Sequence, residues 1–310
     1  MKALIVGLGM GHLYFKILRD KGASVITVDV DASKTADFTD LTQCLNSQKE
    51  PFDISIICTP NHTHYSIAQQ IAPHTNILLV DKPGCKTADE WQNLIESNHK
   101  TRIMMIKNNM WRLDSDNFQS NAKVSNKIVL CWINQNRVPR PGSWFTDRDR
   151  AYSGVSRDLI PHLLSIYACM EPQHFSTSRP NDVCWTQRWQ LSDLADSDYG
   201  QVDASGVYNV DDVIEFKMHQ VNDHTQEIKE YHLESDWRSN HQEDIGCHYY
   251  SDDSEIHTTL GLCPEEAYSH MIEQALENYQ NLSWWEHQYR VDHWIHRTID
   301  YITRDEFKVE

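Results

Sequence analysis

The sequence predicts an α/β protein: an N-terminal doubly wound parallel sheet of the Rossmann type, then an α+β domain on a mostly antiparallel, open-faced sheet. Three observations carry this. Across the first third, short apolar runs alternate with segments of helical periodicity, which implies right-handed βαβ crossovers. A glycine turn, GLGMGH, follows the first apolar run directly. After Arg112 the pattern changes to strands with one exposed face.

The first strand is KALIVG, cut off by Gly7, and a helix spans Leu13 to Lys21 with Leu13, Ile17 and Leu18 on one side. SVITVDV is a β-branched strand ending in Asp29, and DISIICTP is a strand stopped by Pro60. A helix over 63–72, the strand NILLVDKP, a helix from Thr87 to Ser97 and the strand RIMMI complete the sheet. The chain of 310 residues is long for one core, so two domains are expected, 1–113 and 114–310. In the second, KIVLCWINQNR, VDDVIEFKMHQV, QEIKEYHL and EIHTTLGL read as strands. YSGVSRDLIPHLLSIY reads as a helix with an apolar face, and the final helix, from about Leu282 to Ile302, as core.

Composition excludes several classes. A net charge of −17 with no cluster of Lys and Arg argues against nucleic acid as a partner. None of the eight cysteines forms a CxxC pair and several sit inside apolar runs, so they read as reduced core thiols. His62 with His64, and His293 with His296, lack cysteine or carboxylate partners at a recurring ligand spacing, so no metal is expected. The opening MKALIVG run lacks a signal-peptide cleavage region, and no segment approaches the ~18 uninterrupted apolar residues of a membrane span. A cytoplasmic location is the expectation.

On a parallel sheet the glycine turn has a physical meaning. Gly7 permits a tight turn, Gly9 lets the backbone approach a pyrophosphate, and the following helix N-terminus offers N–H groups to the phosphates. The usual third glycine position holds His12, while Gly11 comes one residue early. Asp29, ending the second strand, is placed to accept hydrogen bonds from the ribose hydroxyls. With Asp31 close behind and no arginine beside them, NAD is favoured over NADP.

Ligands in such sheets bind outside the carboxyl ends of the strands. Three segments end there: GLGMGH, TPNHTH at 59–64 and DKP at 81–83; SGVSRDLIPH follows at 153–162. In order and approximate spacing these resemble the motifs of the glucose–fructose oxidoreductase, inositol dehydrogenase and rhizopine-catabolism family, Gfo/Idh/MocA. The resemblance covers roughly the first half of the chain; beyond residue 165 it is limited to a VDD stretch at 210–212 and a strand-rich pattern. It implies that Gly7, Gly9, Met10, Gly11, His12, Asp29, Thr59, Pro60, Asn61, His64, Asp81 and Lys82 contribute to the cofactor site. It also implies that Lys82 reaches a substrate hydroxyl or carbonyl beside the nicotinamide. A lysine held there, partly desolvated near an oxidised nicotinamide, is expected to have a lowered pKa. Pro83 fixes the chain's exit, through a cis bond if one forms, and Asp81 stands where the family carries glutamate.

Asp158 and His162, four apart, form a candidate dyad in which the carboxylate orients the imidazole that takes the hydroxyl proton. The family's paired glycines are here Ser153-Gly154. Further substrate candidates are Asn109, Trp144, which can stack on a sugar ring, and Arg157, suited to an anionic group or to a salt bridge. Arg137, Arg140, Arg148 and Arg150 line the same loop as Trp144. The resemblance implies a homodimer or homotetramer through the open sheet face. The expected function is NAD-dependent hydride transfer with a secondary alcohol or lactol of a sugar, cyclitol or sugar nucleotide. The alternatives are a catalytically silent sensing protein and a reductase of a non-sugar carbonyl.

Overall fold

The computed structural model describes residues 1–194, 200–221, 227–240, 242–260 and 264–309. The chain divides into two compact units, residues 1–106 with 265–296, and residues 107–264 with 297–310. This differs from a single cut after residue 113, because one late helix and most of the next, up to His296, belong with the first unit.

In the first unit, β1 (Lys2–Val6), β2 (Ser24–Val28), β3 (Phe52–Ile57), β4 (Thr75–Val80) and β5 (Arg102–Met105) form a parallel sheet in the order β2-β1-β3-β4-β5. Successive strands diverge on either side of β1, so a switch point opens between β1 and β3. The connecting helices are α1 (Gly11–Asp20), α2 (Leu41–Ser47), α3 (His64–Ile71) and α4 (Ala88–Ser97). The strands are nearly continuous apolar runs because both faces are covered; Ala3, Leu4 and Ile5 and all of Ile77–Val80 are buried. The short helix α2, capped by Asp40, was not evident from periodicity.

In the second unit, α5 (Ser115–Val124), β6 (Lys127–Ile133), α6 (Arg148–Ala151), α7 (Val155–Asp158), α8 (Ile160–Met170), β7 (Asn181–Thr186), β8 (Val213–Val221), β9 (Ile228–Asp236), β10 (Asp244–Ser251) and β11 (Ser254–Thr259) follow in order. The sheet runs β11-β10-β6-β9-β8-β7, and every pairing is antiparallel except β6 with β9. The mostly antiparallel sheet expected from the sequence is therefore present, with β7 and β10 added to it. One face packs on α5, α7 and α8. The other carries half-buried and exposed polar residues such as Glu215, His232 and His248, the alternation of a sheet with one polar face.

The helix expected over the SGVSRDLIPH segment is two helices, α7 and α8, interrupted at Leu159. Pro161 is the cause: it has no N–H to donate one turn back, so the ladder breaks before it. The last helices, α9 (Glu265–Glu277) and α10 (Leu282–Ile302), bury Met271, Ile272, Trp285 and Ile295. Among the described residues no helix is long and apolar enough to cross a membrane. All seven described cysteines are free, and Cys263 lies outside the described residues.

Candidate active site

The carboxyl ends of β1, β3 and β4 in the first unit bring three motifs together. Gly7 has φ +91°, and a Cβ there would lie 2.5 Å from the carbonyl oxygen of Cys58, so no other residue fits between the first and third strand ends. Gly9 has open space where a side chain would stand. A Cβ on Gly11 would meet Ile5 at 2.9 Å, so Gly11 does the helix–strand packing usually given to the third glycine, and His12 is left exposed. Met10 caps α1 without any side-chain hydrogen bond, which leaves the first N–H groups of that helix for a ligand.

Asp29 is only 7% exposed and accepts hydrogen bonds from Leu8 N at 2.6 Å and Asp31 N at 2.9 Å. Lys34, which the sequence reading passed over, donates to the same carboxylate at 3.0 Å. Burial works to raise the Asp29 carboxyl, but these donors outweigh it and it titrates below the ordinary range. The open glycine, the uncapped helix start and the oriented carboxylate fit a dinucleotide.

His64 is held by the protein's own main chain. It is fully buried, with Nδ1 2.9 Å from Gly84 O and Nε2 2.7 Å from Thr59 O. Both ring nitrogens face carbonyls of the protein's own loops, so His64 braces the TPNHTH loop against the DKPG turn. Burial drives its pKa down against the opposing pull of Asp81. A neutral ring has one N–H and donates to one of the two carbonyls at a time. Thr63 Oγ1 donates to Thr59 Oγ1 at 2.7 Å and stiffens the same loop. Pro60 and Thr59 are half-buried and Asn61 is buried.

Lys82 is half-buried on the turn after β4, and its backbone N–H is held by the Asp81 carboxylate at 2.9 Å. The Lys82–Pro83 bond is cis. Gly84, at φ +78°, makes room for His296 of α10: a Cβ on Gly84 would lie 2.5 Å from His296 Nε2. That nitrogen accepts the Cys85 N–H at 3.1 Å, while Nδ1 contacts Asp292 O at 2.7 Å and the ring stacks on Trp91. Asp292 in turn accepts Met105 N at 2.9 Å. His296 and Asp292 thus support the lysine turn and the end of β5. Nothing in the local sequence distinguishes them from helix-core residues.

In the second unit, Asp211 organises the start of α7. Its carboxylate accepts from Ser153 Oγ, from Gly154 N at 2.7 Å and from Ser156 N at 2.8 Å. A Cβ on Gly154 would fall 1.8 Å from Asp211 O, so this glycine is required by the protein's own main chain. The VDD stretch was the signal for that role. Asp158 ends α7 and accepts Trp237 Nε1–H at 3.0 Å. His162, one turn on, lies with its ring 5.3 Å from that of Trp132. Both are half-buried.

Arg157 is 4% exposed and donates to Asp300 at 2.8 Å, the salt-bridge alternative, with Nε and Nη1 buried and lacking a hydrogen-bond partner. Asn109 is buried with both amide atoms unpartnered. Trp144 stacks on Phe145 at 3.8 Å between ring centres. Arg148 is engaged with Asp305 at 2.8 Å.

The glycine turn, the open helix start and the oriented carboxylate give the first unit the geometry of a dinucleotide-binding sheet, and similarity to known proteins agrees. Residues 1–108 match the family model described as an oxidoreductase family with an NAD-binding Rossmann fold, Gfo/Idh/MocA. That match covers the glycine turn and the TPNHTH and DKP motifs, the stretch whose motifs resemble that family. The chain is 25% identical over 219 residues to an Amycolatopsis mediterranei protein provisionally named a UDP-kanosamine synthase oxidoreductase subunit, spanning 63% of this chain and 60% of the relative. In fold it is similar to GenD2 from gentamicin A biosynthesis in complex with NAD (TM-score 0.70, 15% identity, 96% of this chain and 92% of that one). A levoglucosan dehydrogenase in complex with NADH and levoglucosan gives a TM-score of 0.68 at 14% identity, with 98% of both chains covered. A myo-inositol dehydrogenase from Corynebacterium glutamicum gives 0.68 at 10% identity, over 97% of this chain and 96% of that one.

Proposed function

We propose that the protein is an NAD-dependent dehydrogenase acting on a secondary alcohol or lactol of a sugar, cyclitol or sugar nucleotide. The observation that carries this reading is the bracing of Lys82: His64 and His296 hold its turn from two sides at the carboxyl end of a dinucleotide-type sheet. A solvated surface lysine has no need of two buried histidines. Bound NAD would accept the hydride. His162 takes the hydroxyl proton, Asp158 orients it, and Lys82 stabilises the negative charge that builds on the substrate oxygen. The unpartnered amide of Asn109 supplies both a donor and an acceptor to a polyhydroxylated ligand. Relatives and fold neighbours named for sugar, sugar-nucleotide and cyclitol chemistry support the substrate class.

The test is a panel of aldoses, cyclitols and sugar nucleotides with NAD, followed through the absorbance of the reduced cofactor. Turnover of at least one is expected. Tight NAD binding with no turnover across the panel would instead favour a silent sensing protein.

A further inference from the structure

The polar face of the second sheet holds a second cluster of chemistry-bearing side chains. Cys131 of β6 and Asp244 and His248 of β10 bring their ligand atoms within 4.8 Å of one another. His257 of β11 joins them, its Nε2 3.6 Å from Asp244 Oδ1, while His248 Nε2 lies 2.9 Å from Asp244 Oδ2.

The register explains how residues from three strands converge. Cys131 stands opposite Gly246, and His248 opposite His257. Asp244 and His248 flank Gly246 on one strand face, and the absence of a side chain between them lets their ends meet above it. Gly246 also admits the second ring: a Cβ there would lie 2.6 Å from His257 Nε2. The two imidazoles stack 4.2 Å apart between centres.

We propose that Cys131, Asp244, His248 and His257 form a binding site for one zinc-class divalent cation. The set is the sulfur–nitrogen–oxygen mixture that zinc takes, and it supplies four ligands. Neighbouring ligands around a tetrahedral ion with bonds of 2.0–2.1 Å stand about 3.3 Å apart, and the 2.9 Å and 3.6 Å separations bracket that spacing. One thiolate, one carboxylate and two neutral imidazoles offset the charge of a divalent ion. An imidazole–carboxylate pair on a strand face accounts for Asp244 with His248 alone. The thiol, which donates to Gly246 O at 3.6 Å, and the second ring drawn across a glycine lie outside that pair. On binding, the ion would displace the thiol proton to solvent. Sequence spacing gave no hint of this site because its ligands are neighbours only across the sheet.

The experiment is titration of the metal-stripped full-length protein with Co2+, followed by Zn2+. Expected are one Co2+ per chain, a thiolate-to-cobalt charge-transfer band in the near ultraviolet, and loss of that band as Zn2+ displaces cobalt. Cys131→Ser should abolish the band, and His257→Asn, at a half-exposed ring, should weaken Zn2+ binding at least tenfold. The His257 variant decides the matter if Cys131→Ser does not fold. A band that survives in Cys131→Ser overturns the proposal, as does Zn2+ affinity unchanged in His257→Asn. So does binding without any charge-transfer band, which would point to the Glu215, His232 and Glu234 group on the same face.

Discussion

His64 stands with Nδ1 2.9 Å from the carbonyl oxygen of Gly84, and so joins loops that leave two different strands of the first sheet. Removing the ring leaves a cavity and takes away the one N–H shared between two carbonyls, a loss of about 1–3 kcal/mol. His64→Ala should lower the melting temperature and, at saturating NAD, lower kcat because the Lys82 turn loses its brace. His64→Gln, which keeps a donor, should recover part of both. Unchanged kcat in a stably folded His64→Ala would remove the histidine from the lysine's support.

Lys82→Ala should cut turnover about a hundredfold to a thousandfold, the value of one oxyanion donor, while NAD affinity measured by calorimetry stays near normal. His162→Ala should cost a similar factor, and the double variant much less than the product if both serve the one proposed proton transfer. Lys82→Arg should not rescue activity, since a guanidinium is wider and does not give up its proton. The ionisation that shapes the rising limb of the pH–rate profile should vanish in His162→Ala. Near-normal turnover in Lys82→Ala would leave the lysine a structural turn residue.

Asp29 should make NAD bind at least tenfold more tightly than NADP, about 1.4 kcal/mol. Lys34 modifies that expectation, because its ammonium lies on the carboxylate that would repel a 2′-phosphate. Lys34→Ala should therefore widen the preference for NAD, and Asp29→Ser should narrow or invert it. Equal affinities for the two cofactors in the unaltered protein would defeat the assignment.

Asp212 is fully buried, and its desolvation pushes the carboxyl up to about 6 against the N–H donors of Arg188 and Trp189 and the Tyr208 hydroxyl. The folded state therefore holds a proton that the unfolded chain releases nearer pH 4. That contribution to stability is complete below the unfolded pKa and is lost as pH rises through about 6. Chemical denaturation should show the unaltered protein losing about 3 kcal/mol relative to Asp212→Asn between pH 4 and pH 7. Parallel pH curves for the two proteins would place the titration elsewhere.

The first sheet was legible because its strands are buried on both faces and read as apolar runs, the first four closed by a glycine, an acid or a proline. The motif loops were legible for the same reason: they sit at those closures. What the sequence concealed is what reaches them from afar. His296 on an amphipathic helix looks like any core histidine, and its bond to Cys85 spans 211 residues. Asp211 stood out only as part of a VDD stretch; the partners of its carboxylate, Ser153, Gly154 and Ser156, lie more than fifty residues away in sequence. The break at Leu159 follows from Pro161, whose missing N–H outweighed the apolar periodicity around it.

The first unit is assembled from two stretches of chain, and that has a consequence for biosynthesis. At about 5–20 residues per second, a ribosome that has finished Cys85 needs roughly ten to forty seconds more to deliver His296. During that interval the nascent Rossmann sheet carries its lysine turn with only the His64 half of its support. Neither unit is complete until residues 265–310 have emerged, so co-translational folding of both waits on the last stretch of chain.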